Sequence, residues 1–307
     1  MGKSTVEVQI EKLFKHTRQG SYATRDRYKD SCLMFARFCL DRFKMQNVRN
    51  IHDKHVAAFI AERLKQGIGA KTIKGDLSAL RYMHDQIQRP RYGISDNAKL
   101  QEEYGLTIGT THQVNGDRAW TTSEYDRMLQ IAVELKNENV ADCMVLARTM
   151  GLRITEAAAV SRAQAEYALR TGIYQVKGEA KNGKHREVAL SPSGRRVLER
   201  RMASTQRGDR LFVRPGEKTH QVVNRMQKFV EHHRDKVLTE IGLNQRTDRR
   251  DGTSRSLTFH GLRYGYVQDR MEQEIQRGYS YDNAALIVSR EVGHERIDVI
   301  QIYEGKS

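Results

Sequence analysis

Six side chains in the second half of the chain have the types that phosphodiester chemistry asks for: Arg153, Lys181, His260, Arg263, His294 and Tyr303. They stand in order in T-M-G-L-R-I-T-E, K-N-G-K, H-G-L-R, G-H and a Tyr nine residues beyond that last His. Cutting a phosphodiester with a protein nucleophile needs the nucleophile itself, cations on the non-bridging oxygens, an acid for the leaving oxygen and a group that handles the nucleophile's proton. The Tyr303 phenol can attack and form a link that keeps the energy of the broken bond. Arg153 and Arg263 can hold the phosphate through planar, bidentate hydrogen bonds. Lys181, in a turn, suits protonation of the leaving oxygen, with Lys184 as its competitor. His260 suits the base or proton positioner, and His294 a donor to the phosphate. None of these steps calls for a metal. His232 and His233 point to different sides of a helix and lack spaced Cys or carboxylate partners.

Taken singly, each residue has a plainer use. Arg153 can simply pair with Glu156, three residues on, and Glu156 is expected to orient the guanidinium. The two histidines can be satisfied core residues, and Tyr303 is one of 13 tyrosines. Their joint order favours chemistry.

The charge balance points to a polyanion. The 307 residues carry 53 Lys+Arg against 38 Asp+Glu, a formal net charge of +15. Up to Asp117 there are 20 basic and 13 acidic residues, leaving +7, and the 33 and 25 beyond leave +8. Both halves are basic, as expected of a chain that grips nucleic acid along its whole length. Hydrophobic residues at 38% and charged residues at 30% describe a water-facing globular chain. No apolar run approaches the roughly 18 residues of a membrane span. The opening MGKSTVEVQIEKLF has no signal-peptide core, so a cytoplasmic, nucleoid-associated protein is expected. Cys32, Cys39 and Cys143 form no C-x-x-C pair and read as small buried hydrophobes in a reducing compartment.

The elements that must position these groups fall into two domains, 1–115 and 118–307, with the boundary between about 111 and 119. From Ser21 to about Gln88 the period is helical. Tyr28, Cys32, Phe35 and Cys39 mark one face of a first helix, H-V-A-A-F-I-A-E-R-L-K-Q a second ended by Gly67 and Gly69. A third buries Ile73, Leu77, Leu80, Met83 or His84, and Ile87, and shows Lys71, Lys74 and Arg81 on its other side. Lys71, Thr72 and Lys74 lie at its start, where free N–H groups favour phosphate. After a connector with one short helix, Thr121 and Glu124 form a capping-box signature. Helical patterns then cover about 122–136, 139–150, a short stretch after Gly151, 193–205, 219–239, 259–277 and 283–291. Between them, I-Y-Q-V-K-G and R-E-V-A-L-S read as two strands joined around Asn182-Gly183. The run Arg246, Arg249, Arg250 and Arg255 is expected to touch backbone phosphate.

The ordered set G-L-R-x-x-E, hairpin Lys, L-T-F-H-G-L-R, G-H and Tyr over about 120–303 resembles the tyrosine recombinases, the phage-integrase family of DNA strand-exchange enzymes. More loosely, 21–88 resembles that family's core-binding domain. The resemblance implies a mainly α (α+β) fold: a helical, SAM-like domain followed by a catalytic domain of helices with a small antiparallel sheet. It implies Arg153, Lys181, His260, Arg263, His294 and Tyr303 as catalytic residues, with Lys181 as the acid. Lys71, Thr72, Lys74, Arg81, Lys184, Arg249, Arg250 and Arg255 are the expected DNA contacts. No cofactor is implied. The expected partners are double-stranded DNA gripped as by a two-domain clamp, a homo-tetramer on paired DNA sites, and an accessory DNA-bending protein. The expected outcome is a 3′-phosphotyrosyl link and strand exchange through a Holliday junction, integrating or excising a mobile element. A type IB topoisomerase-like relaxing enzyme and a catalytically silent DNA-binding regulator are the alternatives. Two departures from the family pattern stand out. Q-E-I-Q-R-G-Y-S-Y-D-N reads as an insertion forming a larger surface element. The four residues after Tyr303 are fewer than the tail many relatives pack on a neighbouring protomer, so protomers are expected to meet through other contacts.

Overall fold

The computed structural model describes residues 4–17, 22–110, 116–178, 185–248, 252–294 and 296–305. They divide into two compact units, Met1–His112 and Gln113–Ser307.

The first unit is helical: α1 (Thr5–His16), α2 (Tyr22–Phe43), a 3-10 turn (Val48–Asn50), α3 (Asp53–Lys65), α4 (Ala70–Asp85) and α5 (Asn97–Tyr104). Ser4 and Glu7 close a capping box on α1, a helix the apolar period had not marked because only Val6 and Ile10 face inward strongly. Cys32, Phe35 and Cys39 of α2 meet Ile73, Leu77, Leu80 and Met83 of α4, all essentially inaccessible to water. Each such fully buried aliphatic side chain contributes about 1.5–3 kcal/mol. Tyr28 is half-buried and meets the Tyr82 ring edge-on at 5.4 Å. Asp76 ties α2, α3 and α4 together, accepting from Ser31 Oγ at 2.7 Å and from both Nε and Nη2 of Arg63.

The second unit contains α6 (Thr122–Glu134), α7 (Glu138–Met150), α8 (Ile154–Ala158), α9 (Arg162–Thr171), β1 (Ile173–Val176), β2 (Arg186–Ala189), α10 (Pro192–Met202), α11 (Thr219–Val237), α12 (Glu240–Arg246), α13 (Gly261–Gln276), α14 (Tyr281–Glu291) and α15 (Asp298–Tyr303). Thr121 and Glu124 form the expected capping box on α6. The strands pair antiparallel, Ile173 with Ala189 and Val176 with Arg186. Where one short helix was expected after Gly151 there are two, α8 and α9. The short helices α12 and α15 were not foreseen; six or seven residues are too few to display a period. The expected insertion does not form a separate surface element. Its residues complete α13 and open α14, joined by a turn at 277–280.

Helix α7 is the axis of the main core. Its Val140, Cys143, Met144, Leu146, Ala147 and Met150 are buried in one cluster with residues of α6, α8, α9, α10 and α11. A separate cluster joins Tyr264, Tyr266, Val267 and Met271 of α13 to Ala284, Ala285 and Val288 of α14 and to Ile300 and Tyr303 of α15. That second cluster is what docks the C-terminal helix. All three cysteines are buried free thiols, as expected of small apolar residues. Burial pushes the Cys39 thiol up to about 12. No described helix is long and apolar enough to cross a membrane.

Candidate active site

The G-L-R motif works through its backbone first. Helix α7 stops at Gly151, whose φ of +61° is left-handed, and a Cβ there would lie 2.4 Å from the Tyr266 ring. The chain then turns so that Arg153 caps α8. Its own N–H donates to Glu156 Oε2 and its Nη1 to Glu156 Oε1, both at 2.7 Å. Glu156 is wholly inaccessible, and a second guanidinium grips it: Arg186 donates Nη1 to Oε1 at 2.9 Å and Nη2 to Oε2 at 2.5 Å. A third, Arg263 Nη1, lies 4.0 Å from Oε2. Burial alone would raise the Glu156 carboxyl, but the bonds and charge of Arg186, then those of Arg153, outweigh it and hold the group at about 2. This carboxylate is therefore ionised and fixes two arginines at once.

Arg186 was not singled out from the sequence. Its signal is the alternation in R-E-V-A, where Arg186 and Val188 face inward while Glu187 and Ala189 face out. A charged residue at an inward strand position requires a buried partner. Its Nε also donates to Glu291 O at 2.8 Å, tying the hairpin to the end of α14.

The L-T-F-H-G-L-R motif builds the other wall. Leu257, Phe259 and Leu262 are buried anchors, and Gly261 permits close packing: a Cβ there would meet Arg118 O at 2.4 Å and the Trp120 ring at 2.6 Å. Three residues apart at the start of α13, His260 and Arg263 share a face. Arg263, 1% exposed, donates Nη1 to Gly151 O, Nη2 to Val292 O and Nε to the Tyr303 hydroxyl at 3.1 Å. Burial lowers its guanidinium to about 10, so it remains charged at neutral pH. Val292 O also accepts from Arg153 Nη2 at 3.4 Å, and that same nitrogen lies 3.5 Å from His294 Nε2.

Tyr303 is 5% exposed and enclosed by rings: Tyr264 at 4.6 Å, His260 and His294 each at 6.2 Å between centroids. Helix α15 is secured from its own unit. Gln268 Nε2 donates to Tyr303 O and to Asp117 Oδ1, and Tyr281 donates its hydroxyl to Glu304 Oε2 at 2.5 Å. Gly305, with φ +67°, lies so close to the Asp117 backbone that a Cβ would sit 2.7 Å from its nitrogen. His260 is open to solvent on one side and crowded by protein on the other. Desolvation, followed by the positive charges of Arg263, Arg153 and Arg118, pushes its imidazolium down to about 4, leaving it neutral and able to accept a proton.

Five of the six expected residues, Arg153, His260, Arg263, His294 and Tyr303, therefore form one cluster. Lys181 lies outside the described residues, as do Lys184, Arg249 and Arg250. Among the expected DNA contacts, Lys71 and Thr72 are exposed in the first turn of α4 and Lys74 is half-buried. Arg81 has a structural use: its Nε and Nη2 donate to Ser95 O at 3.0 and 2.7 Å, and Ser95 is itself bound to Asp53. Arg255 pairs with Asp248 at 3.1 Å. Arg246 overturns its expectation. It is 1% exposed and donates both Nη atoms to Glu124 at 2.7 Å, so it faces the core and cannot reach phosphate.

A phosphate-sized anion brought to this cluster would meet guanidinium and imidazole donors beside a phenol. Among the described residues the second unit is helical with one hairpin and follows a SAM-like helical unit, the arrangement of the tyrosine recombinase fold. Residues 3–92 match the family model described as the N-terminal domain of phage integrases. Over almost its whole length the chain superposes on the Tn1549 transposon integrase in complex with a circular intermediate DNA (TM-score 0.61, 13% identity, 98% of this chain and 95% of that one). It matches a lambda integrase dimer bound to a COC′ core site (TM-score 0.62, 14% identity, 98% and 77%). A third match is the XerH site-specific recombinase on a palindromic difH substrate (TM-score 0.60, 17% identity, 97% and 80%). No curated protein sequence matches significantly. The resemblance drawn from the motifs is thus borne out in the N-terminal family and in the fold.

Proposed function

We propose that this protein is a site-specific DNA recombinase that cuts and rejoins double-stranded DNA through a 3′-phosphotyrosyl intermediate at Tyr303. The observation that carries the reading is the phenol oxygen of Tyr303 held 3.1 Å from Arg263 Nε, in a cluster with Arg153, His260 and His294.

In the proposed reaction Arg153, Arg263 and His294 bind the non-bridging oxygens and offset the charge that grows on them. The Tyr303 oxygen attacks phosphorus as its proton passes to neutral His260. The bond from phosphorus to the 5′ oxygen breaks, and Lys181 protonates that oxygen. Religation reverses the steps with a 5′-hydroxyl of the partner strand, so no external energy source is consumed. Arg263 is now covered by the Tyr303 ring, 5.9 Å from its guanidinium carbon. Seating the phosphate therefore requires the phenol to slide along the guanidinium. Residues 118–307 serve as the catalytic domain and 1–115 as the helical domain that binds DNA, with Lys71, Thr72 and Lys74 toward phosphate. Four protomers on paired sites, exchanging a mobile element, complete the proposed reading, and the likeness to a transposon integrase supports the mobile element.

The test is covalent trapping on nicked duplex DNA. Tyr303→Phe abolishes the adduct while binding stays nearly unchanged. An adduct that persists in this variant moves the nucleophile elsewhere, and Tyr279 and Tyr281 are then the residues to replace.

A further inference from the structure

The structure holds one more guanidinium at this site, on a segment that none of the motifs includes. Residues 116–121 run across the start of α13 and are pinned from several sides. Asp117 N donates to Gln245 O at 3.1 Å, Ala119 N to Asp117 Oδ1 at 2.8 Å, and Trp120 Nε1 to Thr258 O at 2.8 Å. The Arg118 carbonyl lies against Gly261, so its Cα stands beside the residue that follows His260. The backbone of Arg118 is therefore as fixed as that of Arg153.

Its side chain differs from the other arginines around the site. Arg153 and Arg186 share the single carboxylate of Glu156, Arg246 pairs with Glu124, and Arg270 with Glu274 and Glu291. Among the described residues Arg118 has no carboxylate in ion-pair reach. The adjacent Asp117 is already engaged by Ala119 N, Gln245 and Gln268. Arg118 is half-exposed, and its positive charge opposes the rise that burial gives the Tyr264 phenol and adds to the fall of the His260 imidazolium. Tyr264 in turn packs edge-on against Tyr303 at 4.6 Å and His260 at 5.5 Å. A fixed, half-open guanidinium without a counter-ion, next to a group of phosphate-binding cations, is arranged for a second anion. Successive phosphates on a DNA strand lie several ångströms apart, and neutralising them is what binds a protein to the duplex.

We propose that Arg118 seats a backbone phosphate flanking the scissile one and, through Tyr264, positions the Tyr303 phenol. This inference rests on the recombinase reading above, deepening it with a positioning residue on the His260–Tyr264 side of the nucleophile.

The experiment uses the full chain and two substitutions, Arg118→Ala and Arg118→Gln, the second keeping a hydrogen-bond donor for Tyr264. Binding to a random-sequence 40-base-pair duplex is measured against salt. A nicked duplex, selected from a randomised pool by adduct formation with the wild-type chain, is then scanned with single neutral methylphosphonate linkages. Loss of one phosphate contact lowers the salt slope by about 0.9 in either variant. Both variants should become indifferent to a methylphosphonate at one position beside the scissile phosphate that weakens the wild type. At saturating DNA adduct formation by Arg118→Ala should fall about 10²-fold, the scale of a nucleophile displaced by about an ångström, and Arg118→Gln, which keeps the donor, should recover most of that loss. Melting temperatures near the wild type exclude a merely structural role; should Arg118→Ala unfold, Arg118→Gln carries the test alone. A wild-type salt slope with unchanged sensitivity at every linkage overturns the proposal, and so does lost sensitivity at the scissile phosphate itself. If the pool yields no wild-type adduct, the recombinase reading fails, while the salt slopes still report on Arg118.

Discussion

Glu156→Gln is the substitution whose consequences the structure determines most fully. The carboxylate receives four hydrogen bonds from Arg153 and Arg186 and lies 4.0 Å from Arg263, with no access to water. A glutamine keeps the shape but turns one acceptor into a donor that faces guanidinium donors, and it leaves buried positive charge unbalanced. Breaking such a buried pair costs about 3–5 kcal/mol. The carboxyl's fall from its ordinary 4.5 to about 2 corresponds to about 3 kcal/mol at neutral pH, which agrees. In a unit of this size each kcal/mol moves the melting temperature by about 2–4 °C, so a drop of about 6–20 °C is expected. The pH dependence has a definite sign. A carboxyl depressed in the folded state gives its full stabilisation above about pH 4.5 and loses it as pH falls toward 2. Scanning calorimetry of both chains between pH 7 and pH 2 should therefore show a wide gap that narrows below pH 4.5. Melting temperatures within about 2 °C at pH 7, or a gap that persists undiminished at pH 2, would refute the reasoning.

Three further outcomes follow from the same geometry. Arg153→Ala should slow adduct formation at least about 10²-fold, because a charge-stabilising donor is worth about 3 kcal/mol or more of barrier; the protein should melt closer to wild type than Glu156→Gln, since Arg186 still holds the carboxylate, and a slight rate loss would make Arg153 structural. Gly151→Ala should lower the melting temperature clearly, with a cost of about 1–3 kcal/mol for a non-glycine residue at this φ before the contact with Tyr266 is counted; an unchanged melting curve would show that the turn can relax. Duplex binding should weaken steeply with salt, by about 0.9 in log–log slope for each phosphate neutralised, and a flat profile would argue against duplex DNA as the ligand.

Much of the site was legible in the chain because its motifs specify backbone geometry as well as chemistry. Gly151 ends a helix with a left-handed residue, Gly261 lets two segments touch, and the three-residue step from His260 to Arg263 puts both on one helical face. The hairpin and the apolar faces of α2 and α4 were equally plain, since a period of two or of 3.6 is a local property of the chain.

Long-range pairing was not legible. Arg246 looks like one more basic residue in an arginine-rich run, yet tertiary contact with Glu124, 122 positions away, makes it core. Arg186 looks like part of a basic strand, yet it shares a carboxylate with Arg153. A guanidinium has the same charge on a surface, in a core pair or at a phosphate site, and the sequence carries that charge without its counter-ion. The chain alone determined which chemistry was available and which helices would carry it. Only the folded structure decided which arginines are neutralised internally and which keep their charge for an anion, because that depends on which carboxylates the packing of α6, α8 and α13 brings within reach.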